Sequence, residues 1–295
     1  MRIGLHTSKS GSLERAALKA HEVGANCFQI FSSSPRMWRA STPDPADIHL
    51  LKAARERYDL APMVIHDSYL INLGSRDPAI RKSSVAAFRG EIERALAIGA
   101  EYLVMHPGNY KGQTVEEGLC AVIEGIEEAA QGLSSQHLRI LLENTVGCGG
   151  QLGSKFEELR ALRELTQQRV EIGIGFCLDT CHCFANGAYN VATAEGLEHT
   201  VEQIENILGL DHVNVIHTND SKGGLASRLD RHQNIGEGHI GAEAFRRILQ
   251  HPKLRDKAFI LETPVDNPGD DKKNVDTLKE LAAIKPRRRP RASKL

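Results

Sequence analysis

The stretch Ile172-Gly-Ile-Gly-Phe-Cys-Leu-Asp179 is almost wholly apolar until it meets a carboxylate, and Thr180-Cys-His182 follows at once. A short apolar run that does not alternate with polar residues reads as a strand buried on both faces, as in a parallel sheet covered by helices. Further runs rich in Val, Ile and Leu share this character at 2–7, 27–32, 62–66, 102–106, 138–143, 213–217 and 258–262. Between them lie amphipathic stretches, among them 13–22, 80–98, 115–130 and 201–208, with apolar residues at three- and four-residue steps. Thr114 with Glu117 and Ser154 with Glu157 have capping-box spacing, and Asp77-Pro78 sets a cap residue before a first-turn proline. Eight strand-and-helix units are the count that closes a barrel, so the expected fold is α/β, a single (β/α)8 TIM barrel. An open doubly wound sheet is the alternative, but no Gly-x-Gly-x-x-Gly follows the first strand to supply its dinucleotide loop.

Composition fits one unit. With 295 residues, 41% hydrophobic and 25% charged, the chain has material for one large core. Barrels of this kind occupy roughly 250 residues as one domain, here 1–283. No apolar run approaches the roughly 18 residues needed to cross a bilayer, and Met1-Arg2-Ile3 leads into a strand rather than a signal peptide. A soluble cytoplasmic protein with no membrane role is expected. Six cysteines, with Cys27 and Cys177 inside apolar strands, read as reduced thiols rather than a disulfide framework. The net charge of −1 neither advertises nor excludes a nucleic-acid partner, because phosphate contacts depend on local potential. Lys285-Pro-Arg-Arg-Arg-Pro-Arg291 opens a basic tail at 284–295, expected to be disordered and read as a solvated end before a DNA-tethering arm. Its terminal Ser293-Lys294-Leu295 spells a peroxisomal address, which we take as coincidence.

The strand-like runs end in His6, Phe31, His66, His106, Glu143, Asp179, His217 and Glu262. In a (β/α)8 barrel these ends converge on the C-terminal face, so residues far apart in sequence become neighbours. His182 follows Asp179 by three residues, and Asp230 and His232 flank Arg231. Each has a bland reading alone: a single strand-end histidine is more often a hydrogen-bonded structural residue, and His6 is left as one. Together, His66, His106, Glu143, Asp179, His182, His217, Asp230, His232 and Glu262 would impose a severe desolvation cost unless cations offset it. Imidazole with carboxylate suits zinc, with Mn2+ or Fe2+ as substitutes, and this many donors serve two or three ions sharing a carboxylate. Closely spaced ions of this kind hydrolyse phosphodiesters. Cys177, Cys181 and Cys183 lack the Cys-x-x-Cys spacing of a structural zinc site.

Specific motifs add to this reading: His66-Asp-Ser-Tyr-Leu-Ile-Asn-Leu73, His106-Pro-Gly108, Leu142-Glu-Asn-Thr145, Leu178-Asp-Thr-Cys-His182, His217-Thr-Asn-Asp-Ser-Lys222, Asp230-Arg-His232, Gly236-Glu-Gly238 and Leu261-Glu-Thr263. In these, and over nearly its whole length, the chain resembles the endonuclease IV family of zinc-dependent apurinic/apyrimidinic endonucleases. The resemblance implies three zinc ions. One would be held by His66, His106 and Glu143, a second by Glu143, Asp179, His217 and Glu262, and a third by His182, Asp230 and His232, with Glu143 the shared catalytic carboxylate. It implies hydrolysis 5′ to an abasic nucleotide in duplex DNA, leaving a 3′ hydroxyl and a 5′ deoxyribose phosphate, with no protein nucleophile. Duplexes with abasic sites or blocked 3′ ends are the implied partners, and a monomer without an obligate protein partner is expected. Tyr69 matches the side chain that probes the lesion gap, and Arg36, Met37 and Trp38 lie where the family places a DNA-penetrating loop. Here the chain departs from the family: Pro35 and Met37 stand where polar residues are common, which bears on lesion range, and Thr145-Val-Gly-Cys-Gly-Gly150 differs in detail from the usual glycine-rich loop. A sugar isomerase or epimerase on the same barrel accounts for Glu143, Asp179, His217 and Glu262 but leaves His66, His106, His182, Asp230 and His232 unexplained. A catalytically silent DNA-binding relative has no physical reason to keep so costly a cluster.

Overall fold

The computed structural model describes residues 1–8, 11–34, 36–38 and 42–283, so Pro35 and the basic tail lie outside the described residues. Along the chain run β1 (Arg2–His6), α1 (Leu13–Glu22), β2 (Cys27–Phe31), α2 (Pro45–Tyr58), β3 (Met63–His66), α3 (Pro78–Ile98), β4 (Tyr102–Met105) and α4 (Val115–Ala130). There follow β5 (Arg139–Glu143), α5 (Phe156–Gln167), β6 (Gly173–Asp179), α6 (Thr180–Asn186), α7 (Ala194–Gln203), β7 (Val213–His217), β8 (Asp220–Ser221), β9 (His232–Gln233), α8 (Ala242–Gln250), β10 (Ala258–Leu261) and α9 (Asp270–Ala282). Eight strands close into a barrel in the order β1-β10-β7-β6-β5-β4-β3-β2, all neighbours parallel. Each lies within one residue of the run that announces it in the sequence. The short antiparallel pair β8–β9 has no such signal.

Helix starts follow local chemistry. The Thr114 hydroxyl accepts from the Glu117 amide at 3.2 Å while Glu117 accepts from the Thr114 amide at 2.8 Å, which completes the expected capping box. Asp77 caps α3 through the amides of Ala79 and Ile80. The Ser154–Glu157 box is not formed, because α5 starts one residue later and Glu158 takes the amides of Gly153 and Ser154 instead. The helix expected at 201–208 begins earlier, since Thr193 caps α7 through the Gly196 amide, and the chain ends it in a π-helical turn, Ile204–Leu208.

Side chains alternate across each strand, so the barrel has two cores. Outward residues pack under the helices in one large cluster, while Cys27, Val64, Val104, Leu141, Cys177, Val215, Ala258 and Ile260 fill the interior. Gly4 lets β1 lie close to β2, because a Cβ there would come within 2.1 Å of the Cys27 carbonyl oxygen. No helix among the described residues is long and apolar enough to cross a membrane. All six cysteines are free thiols.

Candidate metal centre

Two residues beyond an interior side chain, a strand points inward again. That rule sets His66 above Val64, His106 above Val104, Glu143 above Leu141, Asp179 above Cys177, His217 above Val215 and Glu262 above Ile260. All six therefore converge where the apolar filling ends. Glu143 is fully buried at the middle: its Oε2 is 3.2 Å from His66 Nε2 and 3.1 Å from His106 Nε2, and its Oε1 is 2.9 Å from His217 Nδ1. Donor atoms of three groups lie within 4.8 Å of one another: His66, His106 and Glu143; Glu143, Asp179, His217 and Glu262; His182, Asp230 and His232. The first turn of α6 carries His182, which the Asp179 carboxylate anchors by accepting its amide at 2.7 Å.

A cation fits this donor set. Nε2 of His182 and Nε2 of His232 are buried without a hydrogen-bond partner, and Asp230 Oδ1 stands 3.2 Å and 3.7 Å from them. Burial alone would lower the imidazoles, but hydrogen bonding and charge from Glu143 push His66 up to about 10, and Asp179 and Asp230 raise His182 well above the ordinary range. Burial works to raise Glu262 and Asp230, yet His217 holds Glu262 near about 2 and His182 holds Asp230 near about 2. The cluster thus gathers positive charge as protons in the absence of metal. Cys177 lies near Glu143 and His217, and Cys181 near Asp179 and His232, but burial pushes both thiols up to about 12 and makes them poor thiolate donors.

Several residues outside the expected set hold the donors in place. His182 Nδ1 and His66 Nδ1 face the carbonyls of Asn144 (2.8 Å) and Asp67 (3.0 Å), which directs each Nε2 into the site. Asn219 donates to Asp179 Oδ2 at 2.6 Å, and Gln29 donates to Glu262 Oε1 at 2.6 Å. Buried Asp220 accepts from the amides of Ser221 (2.8 Å), Gly236 (2.9 Å), Gly238 (3.1 Å) and Ile240 (2.9 Å), folding the loop that brings Asp230 and His232 over the barrel. The Gly236-Glu-Gly238 motif follows from that clamp, since a Cβ on Gly238 would sit 2.5 Å from Asp220 Oδ1.

A cleft of about 570 Å3 opens over the donors, lined by His66, His106, His182, Asp230, His232 and Glu262 and by Phe31 and Tyr69. Tyr69 is 71% exposed and meets Phe31 edge-on at 5.2 Å, a ring standing clear at the rim. Arg36 and Met37 do not line the cleft; Met37 is exposed on the loop after β2. That loop is anchored beneath by buried Glu91, which pairs with Arg94 at 2.8 Å and accepts from Ser32 and Ser33. In the segment 145–150, the Cys148 amide donates to Gln151 Oε1 at 3.0 Å. His6 is half-buried at the cleft, its pKa pushed down to about 4 by desolvation, and stands 3.1 Å from Gln29.

Comparison with known proteins follows the same lines. A family described as "Xylose isomerase-like TIM barrel" matches residues 17–285. "Probable endonuclease 4" of Solibacter usitatus is 60% identical over 285 residues, 97% of this chain and 98% of that protein. The crystal structure of endonuclease IV from Thermus thermophilus superposes with a TM-score of 0.83 at 37% identity, covering 95% of this chain and 98% of that one. A D-tagatose 3-epimerase-like protein, with a TM-score of 0.70 at 24% identity and coverage of 95% and 97%, shares the fold alone. The barrel is common to both kinds of enzyme, but the high identity over nearly the full length is to the nucleases, and this chain belongs to the endonuclease IV family.

Proposed function

We propose that this protein is a DNA-repair endonuclease that hydrolyses the phosphodiester 5′ to abasic sites in duplex DNA, leaving a 3′ hydroxyl and a 5′ deoxyribose phosphate, with three zinc ions as cofactor. One observation carries the reading: three donor groups meet around one cleft, two of them sharing Glu143. Zinc bound there would supply Lewis acidity toward the phosphate oxygens and lower the pKa of water. The chain's own residues bind, orient and neutralise. His66 and His106 with Glu143 form one cradle, Asp179, His217 and Glu262 with Glu143 the second, and His182, Asp230 and His232 the third. Tyr69, exposed at the rim of the cleft, would fill the gap left by a missing base, which costs less unstacking than at an intact pair. Arg36 and Met37 would meet the duplex from the loop after β2, the arginine through phosphate and the methionine as an apolar wedge. Duplexes with abasic sites or blocked 3′ ends are the partners, met in the cytoplasm by a monomer whose working unit is residues 1–283, with the basic tail accessory.

The test is cleavage of a duplex carrying one tetrahydrofuran abasic analogue, beside an intact duplex, with zinc measured by elemental analysis. The analogue cannot undergo β-elimination, so a metal-dependent cut on its 5′ side is the expected result. No cut with about three bound ions would overturn the substrate assignment and direct attention to the Arg36 loop, whereas no cut with one or two ions would favour sugar chemistry on the same barrel.

A further inference from the structure

Gln29 lies on the inner face of β2, two residues beyond Cys27, and is fully buried. Its amide touches three titratable side chains. Nε2 is 2.6 Å from Glu262 Oε1 and 3.1 Å from His6 Nδ1, and Oε1 is 2.8 Å from His217 Nε2. A carboxylate accepts and does not donate, so the NH2 end must face Glu262, which leaves the carbonyl for His217. That carbonyl in turn requires the proton of neutral His217 on Nε2. The Nδ1 lone pair is thereby free, and Nδ1 lies 2.9 Å from Glu143 Oε1 and 3.3 Å from Glu262 Oε2. The remaining amide hydrogen is taken by His6 Nδ1.

We propose that Gln29, braced by His6, is a positioning residue for the metal set of Glu143, Asp179, His217 and Glu262: it fixes the tautomer of His217 and the rotation of the Glu262 carboxylate. The inference deepens the zinc reading above and rests on it. A side chain without this polarity would leave the buried His217 N–H unpartnered and release one oxygen of the half-buried Glu262 from its fixed rotation, and a carboxylate would set like charges against each other. A metal-ligating histidine is tuned in this way by whatever its second nitrogen meets, at a typical cost of about 10–100-fold in metal affinity when that partner is lost.

The experiment compares the zinc-loaded parent chain with Gln29→Met, which keeps volume and removes polarity, and Gln29→Glu, which keeps an acceptor for His217 and loses both donors. Zinc per chain is measured after dialysis against graded chelator at about pH 8, above the ordinary histidine pKa. Both variants are expected to release one ion of three at about 10–100-fold lower chelator than the parent, with the other two retained. A folded Gln29→Met chain that keeps all three ions at parent chelator levels overturns the proposal, as does equal loss of all three. Should Gln29→Met fail to fold, a folded Gln29→Glu chain that keeps all three ions at parent chelator levels overturns it. A parent chain that binds no zinc sinks the metal reading itself, and the parent measurement alone separates that failure from the others.

Discussion

Glu143 has no solvent to share its charge with, and each of its oxygens faces imidazole nitrogen: His66 and His106 on one side, His217 and, at 3.5 Å, His182 on the other. Replacing it by Gln keeps the volume and removes the charge common to two donor sets. We predict that Glu143→Gln lowers cleavage of an abasic duplex by about a thousandfold, equivalent to ~4 kcal/mol of barrier, in a single-turnover assay. Its zinc content should fall toward the single ion of His182, Asp230 and His232, a set that does not include Glu143. Cleavage at the parent rate would remove Glu143 from the site. The strand-end donors are legible because each repeats the inward parity of an apolar residue two positions earlier. Gln29 has the same parity after Cys27, yet an amide is a poor donor to zinc, so a search for ligands passes over it. Asn144 and Asn219 stand inside recognisable motifs, but their task is set by contacts across 35 to 43 residues that no local pattern shows.

At the scale of elements, the loop between β8 and α8 behaves as a unit with one fastener. The carboxylate of Asp220 gathers amides from Ser221 to Ile240, so the two-residue strands β8 and β9 are consequences of the clamp more than causes of the loop's shape. Truncation would leave those donors facing an apolar hole, at about 1–3 kcal/mol for each one not rescued by water. We therefore predict that Asp220→Ala melts at lower temperature, with a loss on the order of 3 kcal/mol in denaturant titration, and binds one zinc ion fewer, that of His182, Asp230 and His232. Retention of that ion would show that α6 and Asp230 place it without the clamp. Sequence was least informative here: Asp230-Arg-His232 is an ordinary loop pattern alone, and strands of two residues carry no periodicity. Helix starts were clearer where a cap was chemically complete, as at Thr114 and Asp77, and misleading at Ser154, where Glu158 offers the amides a better acceptor.

For the whole molecule, the balance between protons and metal gives stability a pH dependence that reverses on loading. In the metal-stripped chain His66 is raised from 6.5 to about 10, so its contribution is fully present below about 6.5 and disappears as pH rises toward 10. Glu262 and Asp230 are depressed to about 2, so theirs are present above the ordinary carboxylate range and vanish as pH falls toward 2. The stripped protein should therefore melt highest near about pH 5–6.5 and lose stability toward about pH 9, while zinc, which needs unprotonated ligands, should stabilise more at about pH 9 than at about pH 6. Thermal unfolding with and without zinc checks this, and a stripped chain that melts higher at the alkaline pH than at the acidic one would contradict it. The barrel itself was plain in the sequence, because eight doubly buried strands leave few other ways to cover both faces of a sheet.

Closure has a further consequence. Strand β10 joins β1, pairing Ala258 with Arg2 and Leu261 with Leu5, and Glu262 follows directly. β1 thus keeps one edge unpaired until β10, the last strand of the ring, is in place. A chain interrupted before β10 has neither a closed ring nor the Glu262 carboxylate of the second donor set, so closing the barrel and completing that set are a single event.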